Sequence, residues 1–286
     1  MSPARRSACF ALLFAALWAL VELLAGGVLR AYSPYQVVFT RYAVHLALAS
    51  ALWGWRGPAG LVHTGRPVFQ IARSLLMLAM PASWVMATEG GVPLETTLAV
   101  FWLSPVLVLA FSRAVTGERN PPRAWALAAA ASAGAMALQR PHTLPPPGAL
   151  AYPLGMAASF SLYVAMTRAL RTEPLRANLV HTALWVAAPL SVAMPRLWIS
   201  PTLPDLGAMI GVGLLGFACL WALDRAAASA PLATSAPFLA LQAPLALGLA
   251  TLGGAESPGP RRALAVALVV TAAAWAWRRE PAPYVT

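Results

Sequence analysis

The sequence predicts an all-α membrane protein of ten transmembrane helices arranged as two inverted five-helix repeats. Three observations lead to this reading. First, the 286 residues are 59% hydrophobic and 10% charged, with a mean hydropathy of +0.68. That is more apolar surface than a soluble domain of this size can bury. Second, the apolar residues fall in runs of about 20, the length a helix rising about 1.5 Å per residue needs to cross a hydrocarbon layer about 30 Å thick. Third, rare polar and proline positions of the first half recur in the second at a shift of 138, as Pro93 does at Pro231.

The first run, 8–29, follows Arg5 and Arg6 and begins like a signal peptide, with Phe10 to Leu20 as its apolar centre. It continues to Leu29 with no clear small-x-small site, so it is expected to stay as a first helix. Segments 34–54, 68–88, 92–115 and 122–139 complete an expected first unit, residues 1–143. Gly57-Pro58 and Asn120-Pro121-Pro122 read as helix breakers between them. Pro145-Pro146-Pro147 leads into the second unit, residues 144–286, with segments 148–168, 177–195, 205–223, 231–252 and 260–277. Nothing is left over for a soluble domain. Cys9 and Cys219 fall within or at the edges of spans and read as small packing residues rather than a disulfide.

A formal charge of +11 raises the question of nucleic acid, but all twenty basic residues are arginines scattered between apolar runs, so no nucleic-acid partner is expected. Topology explains them better. With Arg5 and Arg6 in the cytoplasm, that side holds thirteen arginines against five, Arg41 and Arg73 being set aside inside spans. By the positive-inside rule both termini are expected in the cytoplasm, in a cell inner or plasma membrane.

In the 138-residue repeat, Pro93-Leu94-Glu95-Thr96-Thr97 falls on Pro231-Leu232-Ala233-Thr234-Ser235, Glu118 on Glu256, and Pro122-Arg123 on Pro260-Arg261. One residue of slippage brings Trp84 to Trp221. Five spans is an odd number, so a second copy must insert upside down. Inverted repeats suit a carrier that exchanges outward-open and inward-open shapes around a midplane site.

Arg41-Tyr42, the segment Val92 to Thr97 leading to Leu103-Ser104-Pro105-Val106, and Thr116-Gly117-Glu118-Arg119 before an Ala- and Gly-rich span resemble the EamA-type drug/metabolite transporters. Ala243-Pro244 and Gly254-Ala255-Glu256 resemble the same pattern in weaker form, with Ala255 interrupting the usual Gly-Glu pair. The resemblance covers almost the whole chain. It implies a ten-helix, inverted-repeat carrier with a central cavity, from a family that exports amino acids, metabolites and drugs or imports metabolites. It supplies no substrate.

The candidate substrate-binding residues are Glu22, Arg41, Trp84, Trp102, Tyr163, Trp221 and Gln242. Glu22 and Arg41 are expected at equal depth in spans one and two. A lone charge near a helix centre costs about 2.5 to 3.5 kcal/mol, so the two are expected to pair or to share a watery cavity. They read either as a static pair or as receivers of substrate charge. Trp84, Trp102, Tyr163 and Trp221 lie deeper than headgroup anchors should, and read as cavity walls or plain packing, with Trp84 and Trp221 expected at one cavity. Gln242 and Thr97 read as substrate contacts or interhelical hydrogen bonds. His45 and His181 are ambiguous, and Arg73 is expected to snorkel to the cytoplasmic surface. Glu118 and Glu256 read as gating carboxylates or, preferably, as caps or partners of Arg119 and Arg123; Glu95 suits the positive end of its helix.

The expected function is secondary transport of a small metabolite, amino-acid-like solute or drug, in the export direction, with import or exchange as the alternative. A membrane-embedded enzyme or a channel ranks lower. There is no His-Glu-x-x-His, no Gly-x-Ser-x-Gly, and the two aspartates, Asp205 and Asp224, are not paired at depth. No cofactor or metal is expected. The partners are a small-molecule substrate and membrane lipid, and a homodimer is the one protein assembly the reading admits.

Overall fold

A computed structural model describes residues 1–141, 145–254 and 259–278. Glu256, Ala255, Arg279 and the expected unit junction at 143/144 lie outside the described residues. Most of those described are helical, with no strands among them. The α-helices in chain order are α1 (Pro3–Val28), α2 (Pro34–Trp53), α3 (Gly57–Val62), α4 (Pro67–Glu89), α5 (Leu94–Phe101), α6 (Ser104–Thr116) and α7 (Pro122–Gln139). They continue as α8 (Ala151–Ala169), α9 (Leu175–Leu197), α10 (Leu203–Ser229), α11 (Leu232–Leu239), α12 (Gln242–Leu252) and α13 (Pro260–Arg278). Prolines at the first turns of α1, α2, α4 and α7 start helices where a missing N–H costs nothing.

Seven segments among the described residues are long and apolar enough to cross a bilayer: Pro3–Val28, Pro67–Glu89, Leu94–Thr116, Pro147–Ala169, Leu175–Leu197, Leu203–Ser229 and Leu232–Leu252. The chain is an all-α membrane protein. The other three expected segments are also helical, as α2, α7 and α13. They carry more polar side chains, among them Gln36, Arg41 and His45 in α2 and Arg261, Arg262 and Arg278 in α13.

Two long segments are broken in the same way. α5 gives way to α6 at Trp102-Leu103, and α11 to α12 at Ala240-Leu241, so Leu94, Phe101 and Ser104 correspond to Leu232, Leu239 and Gln242. In hydrocarbon a broken helix must satisfy its backbone locally. Trp102 N–H reaches back to Leu98 and Ala99 carbonyls at 3.2 and 3.1 Å, Leu241 N–H to Phe238 at 3.1 Å, and the Ser104 hydroxyl donates to the Phe101 carbonyl.

Hydrogen bonds from Gln36 to Ile199, and from Arg168 to Glu118 and Ala227, gather segment termini into two ends of the bundle. Leu29, Pro34, Leu94, Ile199 and Leu203 mark one, the Pro34 end. Thr116, Arg168, Leu175 and Leu232 mark the other, the Arg168 end. α1 lies antiparallel to α10, where the Ser7 hydroxyl donates to Ala226 O at 2.8 Å. α7 meets α13 at Gly134, where a Cβ would stand 2.7 Å from Val269 Cγ2 and 2.9 Å from Ala265 O, an approach open to glycine alone.

Candidate functional site

Helical periodicity lays one stripe of α1 toward the bundle axis, Phe14, Trp18, Val21, Glu22, Ala25 and Leu29, at steps of three and four. α2 contributes Pro34, Val37, Val38, Arg41 and Tyr42, and α4 contributes Met77, Met80, Pro81 and Trp84. From the second half come Met156 and Phe160 of α8 and Val212, Cys219, Leu220 and Leu223 of α10. They surround a deep chamber and a vestibule. Trp18, Val21, Val38, Arg41, Met80 and Pro81 line both, so the two spaces adjoin. The vestibule extends to Leu29, Pro34 and the exposed Leu94, and so to the Pro34 end.

One wall of the chamber is aromatic. The Trp18 ring stands 5.2 Å from Phe14, 5.1 Å from Phe160 and 5.5 Å from Phe101. Tilted and edge-on arrangements of this kind suit the ring quadrupoles. Trp102 closes the cluster from behind, 6.5 Å from Trp18 and 3% exposed, so it supports the wall rather than lining the space.

Glu22 and Arg41 both line the vestibule and do not pair. The Glu22 carboxylate instead accepts from Gln242 Nε2, at the break between α11 and α12. The break brings an amide donor from the second half to the depth of Glu22, which the spacing of spans one and two did not reveal. Arg41 lies across α10 where Gly216 leaves room: a Cβ there would stand 2.5 Å from Arg41 Nε. The Tyr42 ring is 5.6 Å from the guanidinium.

Arg73 corrects an expectation. It does not snorkel; it is 1% exposed and held inside the bundle through its two Nη atoms. Its Nη1 donates to Thr167 Oγ1 at 3.1 Å, and its Nη2 donates to Asn178 O at 2.6 Å and Thr182 Oγ1 at 2.9 Å. The guanidinium also lies 5.0 Å from the Tyr163 ring. Asn178 extends the network, accepting from Gln70 Nε2 at 2.7 Å and donating to Asp224 Oδ2 at 2.8 Å. Partners on α8 and α9 hold the charge in place, so it has no reason to reach the surface. Tyr163, a candidate site residue, thus belongs to this network, and its hydroxyl lies 3.3 Å from Thr182 Oγ1.

Further links close the Arg168 end. Glu118 accepts from Arg168 Nε at 2.7 Å and from Leu232 N–H at 3.1 Å, rather than pairing with Arg119 or Arg123. Arg168 Nη1 donates to the Ala227 and Ala228 carbonyls at the end of α10, where a cation is favoured. Glu173 accepts from Thr64 Oγ1 at 2.7 Å and Gly65 N–H at 3.1 Å. Most of these join residues before 140 to residues after 145.

The remaining candidates divide. Trp84 lines the vestibule, whereas Trp221 lines neither space; its ring stands edge-on to Phe10 at 5.3 Å. The two indoles are therefore not brought together. Thr97 and His45 are buried, and His181 Nε2 lies 2.9 Å from Val62 O. Trp18, Phe14 and Phe160 were missed from the sequence. Trp18 and Phe14 lie four and eight residues before Glu22, on the same helix face, and that spacing was the signal available. Phe160 had none, since it joins the wall only through packing of α8.

No family model matches the chain, and no curated protein does. A crystal structure of another protein matches it with a TM-score of 0.80 at 18% identity, covering 94% of this chain and 95% of that one. At that identity the likeness concerns the fold alone.

Proposed function

We propose that the chain is a secondary transporter of the EamA type, carrying a small metabolite, amino-acid-like solute or drug across the membrane by alternating access, in the direction of export. The observation that carries this reading is a central cavity walled by helices from both halves, reaching one end of the bundle and separated from the other by side-chain links between the halves. Those are the parts an alternating-access cycle needs: a site, one access route, and a closure that can be exchanged for another.

In this reading the ten helical segments are ten spans, in two inverted units of five. The breaks at Trp102-Leu103 and Ala240-Leu241, at equivalent places 138 residues apart, support the duplication. The arginine asymmetry places the Arg168 end in the cytoplasm with both termini, and the cavity then opens outward. An outward-facing cavity is equally the first station of an importer or exchanger, which is the second reading.

Purified protein in liposomes tests the proposal. A labelled solute found by metabolite screening is expected to exchange saturably and to be accelerated by unlabelled solute on the far side. Flux that never saturates and carries current would show a channel instead.

A further inference from the structure

Arg41 differs from the other arginines held inside the bundle. Arg73 has three polar partners and an aromatic ring, and Arg168 has a carboxylate and two carbonyls. Among the described residues Arg41 has no hydrogen bond and no ion pair: its buried Nε is unpartnered, as is that of Arg73, but its Nη atoms, unlike those of Arg73, have no protein partner either. Arg41 is part-exposed and borders the cavity, so its guanidinium is placed to meet a charge that arrives with a ligand.

The chain around Arg41 is shaped to hold it there. Gly216 provides the groove in α10 through which the side chain passes, since a Cβ would meet Nε at 2.5 Å and Cζ at 3.0 Å. The guanidinium stands where chamber and vestibule join, so a ligand in either meets it.

The rest of the lining selects against a second charge. No carboxylate borders the deep chamber, whose other walls are aromatic, methionine and aliphatic side chains with Tyr42 and Cys219 among them. Glu22 lies only along the vestibule, where one of its oxygens accepts from Gln242. An ammonium entering the chamber would lose its water with no carboxylate to replace it. A carboxylate on Arg41 gains a charge-assisted, bidentate contact. The aromatic wall of Phe14, Trp18 and Phe160 favours a flat apolar body.

We infer that the ligand of this cavity is an amphipathic organic monoanion, its carboxylate on Arg41 and its flat apolar body against Trp18, Phe14 and Phe160. The inference rests on the carrier reading only for the consequence of binding, not for the binding itself.

Four indole probes test it on the purified full chain in lipid nanodiscs, by equilibrium binding: indole-3-acetate, its neutral amide, tryptamine and tryptophan. Indole-3-acetate is expected to bind about ten- to a hundredfold more tightly than the amide or tryptamine, the range of one charge-assisted hydrogen-bonded contact, and more tightly than tryptophan. Arg41→Gln should abolish that preference and Arg41→Lys should keep part of it. Should Arg41→Gln fold poorly, Gly216→Ala displaces the guanidinium with the charge intact and should weaken the acetate more than the amide. Equal or tighter binding of tryptamine, tryptophan or the amide overturns the inference. So does a preference that survives Arg41→Gln, or a panel in which nothing binds. Exchange in liposomes separates the two readings. If indole-3-acetate binds but is not exchanged, the anion site stands and the carrier falls; if only cationic or neutral solutes exchange, the carrier stands and the anion site falls.

Discussion

The Glu118 carboxylate accepts the Arg168 Nε–H at 2.7 Å and so ties the chain beyond α6 to the last turn of α8. The two side chains are 11% and 15% exposed, Arg168 the former and Glu118 the latter, between a surface pair and a buried one. A coupling of roughly 1 to 2 kcal/mol is therefore expected, above exposed pairs and below buried ones. Glu118→Gln retains an acceptor for the Leu232 N–H but not the charge, and Arg168→Met retains the stem. A double-mutant cycle on unfolding in detergent measures the coupling. Strictly additive singles would show that the pair is incidental.

Arg73 carries a larger stake because its whole guanidinium is buried. Arg73→Met should cost about 3 to 5 kcal/mol, the penalty for breaking a buried charged network. Part of that cost is Asp224, left buried and accepting from Asn178 once the Arg73 charge has gone. Adding Asp224→Asn to Arg73→Met should therefore recover stability. Unfolding of the three variants decides it, and a double variant weaker than Arg73→Met would remove the electrostatic explanation.

At the contact of α7 with α13, Gly134→Ala should destabilise by about 1 to 3 kcal/mol through overpacking. A methyl group there collides with both Val269 Cγ2 and the Ala265 carbonyl. Val269→Ala can relieve the first collision and cannot relieve the second, so the combined variant should recover only part of the loss. Full recovery would mean that the helices separate at little cost.

How much of this was legible depends on whether a property runs along the chain or across it. The apolar runs and the prolines that open α1, α2, α4 and α7 are local, and the sequence carries them plainly. The shared depth of Glu22 and Arg41 follows from counting along two helices, and both do reach one cavity. Their partners do not follow. Gln242 reaches Glu22 only because a broken helix ends at that depth, and Arg73 stays inside only because Thr167, Asn178 and Thr182 converge from two other helices. Trp221 aligns with Trp84 by repeat position, but packing against Phe10 turns it away from the cavity. A repeat predicts where a residue lies along its helix more firmly than which way it faces.

The direction of access can be read from Met80, which borders both chamber and vestibule beside Arg41. With Cys9→Ser and Cys219→Ala, a single cysteine at position 80 reports which membrane face water reaches. The vestibule runs from Met80 to Leu29, Pro34 and Leu94, while the Arg73 and Glu118 networks stand between it and the Arg168 end. If the arginine asymmetry orients the bundle, an impermeant thiol reagent should modify Met80→Cys readily in right-side-out vesicles and slowly in inverted ones. Breaking the Arg168-end closure with Glu118→Gln should narrow that difference by raising the rate in inverted vesicles. Faster labelling in inverted vesicles before any such change would reverse the orientation of the bundle. Equal labelling from both sides would remove the closure, and with it the case for alternating access.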